Sequence, residues 1–160
     1  MTPKSLLRNA DVASNGLEFS EGAFHSVLEV DNTGENDNVV TRLVLSTGKI
    51  SIDLYQAHKK LENGEAIHLA RVEEIYPFPE ERLTEIIQRY PNLKEVVWVQ
   101  EEPKNMGAWS FMEPRIRKLI SNSISLQYVG RRKRSSPAEG DPIVHRKDQA
   151  RIINEALTME

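Results

Sequence analysis

The chain has 160 residues, of which 28% are charged and 39% hydrophobic, with a formal net charge of -3 and no cysteine. That length suits one domain with a sizeable core and is short for two; the mild charge gives no general affinity for nucleic acid or acidic membranes, and the missing thiols exclude disulfides and thiolate metal sites. No apolar run approaches the roughly 20 residues that span a bilayer, and Met1-Thr2-Pro3-Lys4-Ser5-Leu6-Leu7-Arg8 is too short and polar for a secretory signal, so a soluble, cytoplasmic protein is expected.

Residues 1–22 carry little periodicity and contain Pro3, Asn15, Gly16 and Gly22 among scattered Leu and Phe. They read as an extended arm with at most a short helix at 17–19, frayed or docked on something outside the chain. Residues 24–30 predict a first strand, ended by the polar turn-forming run Asp31-Asn32-Thr33-Gly34-Glu35-Asn36-Asp37-Asn38. Residues 39–45, richer in β-branched side chains, predict a second. Ser46-Thr47-Gly48-Lys49 then resembles a phosphate cradle only superficially, because it lacks the first glycine and the spacing of a P-loop. Capping of the next helix accounts for it. That helix begins near Lys49, where Ile50, Leu54, Ala57 and Leu61 share one face, and Asn63-Gly64 closes it.

Residues 66–72 predict a third strand. Pro77-Phe78-Pro79 forces an extended linker, and Glu80-Glu81 opens a helix whose positive N-terminal end suits them. Leu83, Ile86, Ile87 and Tyr90 form its buried stripe, and Pro91-Asn92 stops it. Val96-Val97-Trp98-Val99 is the stretch around which the rest is arranged. Four apolar residues, three of them β-branched, read as a strand buried on both faces at the centre of a parallel sheet. Glu101-Glu102-Pro103 should end its ladder, and Gly107 permits a tight turn into a helix carrying Phe111, Met112, Ile116, Leu119 and Ile120. Pro114 belongs in that helix's first turn or kinks it. Residues 125–129 predict a fifth strand, followed by a loop from Gly130 to Gly140 with four consecutive cations. A closing helix at about 145–157 turns Ile152, Ile153, Ala156 and Leu157 inward. Helical crossovers of this length imply a largely parallel sheet with helices on both faces, and ligands meet such sheets at the strands' carboxyl ends.

Chemistry-bearing residues gather at those ends. Glu101 and Glu102 could pair as general acid and base, since adjacent carboxylates push one pKa upward. Neighbouring strand residues point apart, however, and anchoring of the loop by accepting backbone N–H groups or an arginine from a neighbouring domain is the favoured role. Trp98 and Trp109 read as core or interface aromatics. Arg131, Arg132, Lys133 and Arg134 could bind an anion, and with Arg115, Arg117 and Lys118 they make seven cations with no acid between residues 115 and 134. A solvated run is the plainer reading of them, and an acidic partner surface the functional one. Without interleaved aromatics, nucleic acid is not expected. His25, His58, His68 and His145 lack metal-ligand spacing. Ser135-Ser136-Pro137 could be phosphorylated, but a turn explains it more simply.

Three motifs carry a family resemblance. Pro3-Lys4-Ser5-Leu6-Leu7-Arg8, Gln100-Glu101-Glu102-Pro103-Lys104-Asn105-Met106-Gly107-Ala108-Trp109, and Tyr128-Val129-Gly130-Arg131 through Ser136-Pro137-Ala138 resemble the C-terminal portion of the 2-oxoglutarate dehydrogenase decarboxylating component, over essentially the whole chain. Among thiamine diphosphate enzymes this portion is similar to the transketolase C-terminal domain. The resemblance implies an α/β three-layer sandwich with a five-stranded, mostly parallel sheet whose first strand is antiparallel. It makes residues 1–22 an arm from a preceding domain and 23–160 the transketolase C-terminal-like domain.

The activity implied is oxidative decarboxylation of 2-oxoglutarate in the tricarboxylic acid cycle, with succinyl transfer to lipoyl groups. Thiamine diphosphate and magnesium are the parent enzyme's cofactors. A homodimer, a succinyltransferase core and a dihydrolipoyl dehydrogenase are the implied partners. The family's Gly-Asp-Gly diphosphate motif is absent from this sequence. The resemblance therefore implies an excised domain that binds neither cofactor, stabilises the dimer and completes the surroundings of the active site, with Glu101, Glu102, Asn105 and Trp109 as interface and loop-anchoring residues. Some actinobacterial relatives bind acetyl-coenzyme A through a basic cluster opening the second helix. The matching positions here, Pro79-Glu80-Glu81-Arg82-Leu83, keep only Arg82 as a cation, so weak or no binding is expected. An alternative is an independent regulatory or anion-binding module using the crevice between residues 46–49 and 101–107 with the arginine loop.

Overall fold

Alternate residues of the central strands feed two separate apolar cores, and that alternation organises the molecule. A computed structural model of the chain describes residues 3–14 and 16–159; Met1, Thr2, Asn15 and Glu160, assigned by sequence to the arm and the domain's end, lie outside them. Short 3-10 turns at Lys4–Leu6 and Ala10–Val12 and helix α1 (Glu18–Glu21) precede β1 (Val27–Glu29), β2 (Arg42–Ser46), α2 (Ile50–His58), β3 (Ile67–Val72), α3 (Glu80–Arg89), β4 (Glu95–Pro103), α4 (Trp109–Leu119), β5 (Ser125–Arg131) and α5 (Pro142–Leu157). The sheet order is β1-β3-β2-β4-β5. β1 lies antiparallel on β3, and the other pairs are parallel.

Period-two strand geometry sends Leu43, Leu45, Val96 and Trp98 to one face, where they meet Leu83, Ile86 and Ile87 of α3 and Met112 and Ile116 of α4. Val44, Val97 and Val99 face the other way, against Ile50 and Leu54 of α2 and Ile152, Ala156 and Leu157 of α5. This is the expected three-layer α/β sandwich. Trp98 is fully buried, and truncating a core aromatic of this size costs about 3–5 kcal/mol. Among the described residues no helix is long and apolar enough to cross a membrane.

Several boundaries differ from the sequence reading. β1 is shorter than residues 24–30, with Phe24 exposed before it. β2 starts at Arg42 because residues 36–40 fold into a turn in which the N–H groups of Val39 and Val40 both donate to the Asn36 carbonyl. The arm is not wholly extended, and part of it rests on the domain: Asp11 accepts from Gln56 Nε2 of α2 at 2.9 Å and from Lys59 Nζ at 2.6 Å. No side chain caps α2. Gly48, at φ 72°, turns the chain instead, while the Ser46 and Ser51 hydroxyls share a buried hydrogen bond of 2.9 Å. α2 ends at His58, and Leu61 is exposed beyond it. α5 begins at Pro142, three residues before His145, because Asp141 accepts from Ile143 N–H at 2.6 Å as N-cap. Pro114 is the sixth residue of α4, past its first turn. The nearby Phe111 carbonyl accepts from the Arg115 guanidinium at 2.8 Å. Finally, β4 does not stop at Glu101. Beyond Ser46, the last β2 residue on its register, it has only β5 beside it, and a register irregularity between Val99 and Pro103 lets Pro103 pair with Arg131.

Candidate functional site

The carboxyl ends of β4 and β5 form one rim, and a buried glutamine builds its first half. Gln100 continues the apolar run of β4 and is 0% exposed. Its Oε1 accepts from Trp98 Nε1 and from the Trp109 backbone N–H, each at 3.0 Å. Its Nε2 donates to the Met106 carbonyl at 2.8 Å and to those of Pro103 and Glu102 at 3.2 Å. One side chain thus satisfies the corner's inward backbone groups and ties strand to helix. Gly107 completes the turn at φ 65°, where a Cβ would stand 2.9 Å from Gln100 Nε2.

An arginine builds the second half. Arg131, the last residue of β5, is 2% exposed. Its Nε donates to both Glu139 oxygens, at 2.9 and 3.0 Å, its Nη1 to the Glu101 carbonyl, and its Nη2 reaches His145 Nδ1 at 3.2 Å and Gln149 Oε1 at 3.4 Å. Glu139, with a side chain 3% exposed, also accepts from Arg134 at 2.6 Å. Burial raises the Glu139 pKa, but its own backbone N–H and the hydrogen bonds and charges of Arg131 and Arg134 outweigh that and hold it below the usual carboxylate value.

The two halves are stitched together. Asn105 donates to the Arg134 carbonyl at 2.9 Å and accepts from its N–H at 3.0 Å, and Lys104 N–H donates to the Arg131 carbonyl at 2.9 Å. Tyr128 donates to the Glu102 and Arg131 carbonyls at 3.1 and 2.8 Å; burial pushes its phenol up to about 12. The acid-proline-glycine corner and the arginine corner therefore lie side by side.

The sequence-predicted residues divide accordingly. Glu101 accepts from Gln149 Nε2 of α5 at 2.7 Å, while the Glu102 side chain is exposed and only its carbonyl is used. The two acids turn apart as successive strand residues do. The Glu101 carboxylate is held by Gln149 of α5, and the Glu101 carbonyl accepts from Arg131. Trp109 packs on Tyr128 with ring centroids 5.3 Å apart. Of the four cations, Arg131 and Arg134 turn inward, and Arg132 and Lys133 are exposed. Arg82 is not with them: it lies on α3, bonded to Glu29 of β1 at 2.6 Å and to Glu85 at 2.9 Å. Glu29 also binds Arg89 and, at 2.9 Å, the buried His68. Burial raises the Glu29 carboxyl, but Arg89, His68 and Arg82 bring it below its usual value. His68 is lowered, burial outweighing the Thr33 carbonyl and Glu29. Sequence reasoning missed Gln100, Glu139 and Gln149. The one available signal was a glutamine at the end of a fully apolar strand, seven residues before a glycine.

This geometry makes a densely hydrogen-bonded rim with exposed cations on it, in which the buried Asp148 Oδ2 has no hydrogen bond among the described residues and lies 3.6 Å from Arg131 Nε. The sequence model of the family described as 2-oxoglutarate dehydrogenase C-terminal matches residues 13–157. Curated relatives named 2-oxoglutarate dehydrogenase E1 component are similar along nearly the whole chain. The one from Geobacillus kaustophilus (strain HTA426) is 56% identical over 158 residues, that from Geobacillus sp. (strain WCH70) 54% over 158, and that from Bacillus subtilis (strain 168) 52% over 159. Each match covers 99% of this chain and 17% of the relative.

Proposed function

The chain belongs to the 2-oxoglutarate dehydrogenase C-terminal family, and from that premise we propose that it serves as the C-terminal domain of an E1-type 2-oxoglutarate dehydrogenase. In this reading the parent enzyme decarboxylates 2-oxoglutarate oxidatively in the tricarboxylic acid cycle of the cytoplasm and passes the succinyl group to lipoyl arms of a succinyltransferase core, with dihydrolipoyl dehydrogenase completing the complex. Residues 23–160 are the domain and 1–22 the arm leading into it. The observation that carries the reading is identity of about one residue in two along the whole chain to E1 components of which it spans 17%. Similarity of that extent favours a shared part in a larger enzyme over an independent regulatory module.

Thiamine diphosphate with magnesium would supply the carbanion chemistry of the parent enzyme. The residues of this chain do not fit that group. Gly-Asp-Gly is absent from the sequence, and among the described residues no three His, Cys, Asp or Glu side chains converge as metal ligands. The cofactor is assigned to other parts of the parent chain, and this domain's contribution is positional. Gln100 and Arg131 hold the rim, and Glu101, Glu102, Asn105 and Trp109 present it to the neighbouring domains of a homodimer.

The test is a pair of turnover assays with 2-oxoglutarate, thiamine diphosphate and magnesium. The isolated chain should give no decarboxylation above a blank, and the parent enzyme truncated before this segment should lose its activity and its dimeric mass. Turnover by the isolated chain, or full activity of the truncated parent, would overturn the reading.

A further inference from the structure

The two edges of the sheet are finished differently. β1 is three residues long and ends in Glu29, which α3 arginines bind, and Val27 is buried. Short length and charge are the usual guards of an edge against further pairing. β5, at the other edge, has neither. It runs for seven residues, and from Ile124 to Gly130 the chain carries no charged residue and no proline. Its phase is set by the Ser125 N–H, which donates to the Lys94 carbonyl at 2.9 Å, and by the parallel register of Ser125, Gln127 and Val129 with Glu95, Val97 and Val99. Those three β5 residues therefore turn their backbone groups to β4, and Leu126 and Tyr128 turn theirs to the open side. Among the described residues no hydrogen bond reaches these outward groups. The open stretch stops at Gly130, whose carbonyl accepts from Arg151 Nη2 at 3.0 Å. Along it Leu126 and Tyr128 are half-buried, and Ser125 and Gln127 are exposed.

A row of unpaired N–H and C=O groups is met most completely by another strand, and β5 suits a copy of itself. In antiparallel pairing about a twofold axis at Gln127, Leu126 of each copy lies opposite Tyr128 of the other. The outward groups of these two residues then bond one another, and the arrangement closes at two copies. Gln127 faces its own counterpart across the axis, in the kind of pair where side chains come closest, and two exposed amides can bond each other there. Charge selects the same arrangement. It sets the arginine loop of each copy beside the uncharged Ser121-Asn122-Ser123 turn of the other. The two Arg131 positions then stand roughly 27 Å apart along the ladder, well beyond the screening length of about 8 Å at physiological salt. The strand is also fixed in advance, because the Tyr128 hydroxyl donates to the Glu102 and Arg131 carbonyls, so little ordering has to be supplied on pairing. We propose that β5 is a self-association edge, pairing antiparallel with β5 of a second copy so that the two sheets become continuous. The proposal does not depend on the reading of the parent enzyme, because both partners are this chain.

Sedimentation equilibrium of the chain from about 10 μM to 1 mM, in about 150 mM salt, tests it. The expected result is a monomer–dimer equilibrium with a Kd of roughly 0.1 mM. Gln127→Lys sets two like charges opposite each other and should weaken association at least about tenfold, as should Gln127→Glu. An equimolar mixture of these two variants sets opposite charges across the axis and should associate within about threefold of the unaltered chain. Gln88→Lys adds the same charge at an exposed position of α3 and should associate as the unaltered chain does. Because Gln127 is exposed, its variants should melt at the temperature of the unaltered chain when all are compared at about 10 μM, where the monomer dominates, which separates lost pairing from lost folding. A chain that stays monomeric up to about 1 mM would leave the edge to an unlike strand and overturn the proposal. Undiminished association of Gln127→Lys, equal weakening by Gln88→Lys, or a mixture that does not recover would overturn it as well.

Discussion

Two ion clusters stand at opposite edges of the sheet, and they are built with opposite polarity. On the β1 side one carboxylate, Glu29, gathers Arg82, Arg89 and His68. On the β5 side one guanidinium, Arg131, gathers Glu139, the Glu101 carbonyl, His145 and Gln149. Their solvent access differs more than their chemistry. Arg82 is 40% and Arg89 36% exposed, whereas both partners of the Arg131–Glu139 pair are almost wholly covered. An exposed pair can exchange its partner for water at little cost; a covered one cannot. The first cluster therefore trims the stability of an edge. The second decides whether the rim exists.

The largest effect expected from this contrast follows loss of Arg131. Arg131→Met leaves Glu139 buried without its main partner and should cost about 3–5 kcal/mol in chemical denaturation. Gln100→Leu comes next. It strands the Trp98 indole N–H, the Trp109 N–H and three carbonyls that Gln100 satisfies; only the bonds to Trp98 and Pro103 are fully buried, so at about 1–2 kcal/mol for each of these two the cost is about 2–4 kcal/mol. At the other edge Glu29→Gln should cost only about 1–2 kcal/mol, because its two arginines turn to water. Arg82→Ala should cost under about 1 kcal/mol. Equal losses for Arg131→Met and Glu29→Gln would erase the distinction between the edges.

Acid sharpens the comparison. Glu139 and Glu29 both carry folded-state pKa values below the ordinary carboxylate value. Each therefore contributes stability that is complete above that ordinary value and is lost as the pH falls through the lowered one. His68 is also lowered, so the unfolded chain takes up its proton first and stability declines as the pH drops through the ordinary imidazole range. Unfolding followed between pH 7 and 5 should show that decline, the smallest of these effects, and His68→Gln should flatten it.

The sequence made some of these distinctions legible and hid others for physical reasons. The run Val96-Val97-Trp98-Val99 announces a strand buried on both faces, since each side chain is apolar whichever way it points, and the sheet, its helices and the α3 stripe follow from the same periodicities. The continuation of β4 through Pro103 was not legible, because it depends on β2 ending at Ser46 and on a register irregularity against β5. A run of four cations does not disclose which of them turns inward. Arg131 does so because Glu139 returns to it across a loop and α5 supplies His145 and Gln149, contacts that no local pattern encodes. Gln100 was hidden for a related reason: its partners are mostly backbone groups, which every residue possesses. Glu101 and Asn105 stood out in the sequence as polar residues at a strand end, but their partners, Gln149 and the Arg134 backbone, were not legible there.

The account rests on Arg131 as a buried clasp rather than a ligand-binding cation, and a double-mutant cycle on Arg131→Met and Glu139→Leu measures that directly. Each single variant should be strongly destabilised and the double variant should recover most of the loss, giving a coupling energy above about 1.5 kcal/mol. Additive losses, with coupling below about 0.5 kcal/mol, would contradict it.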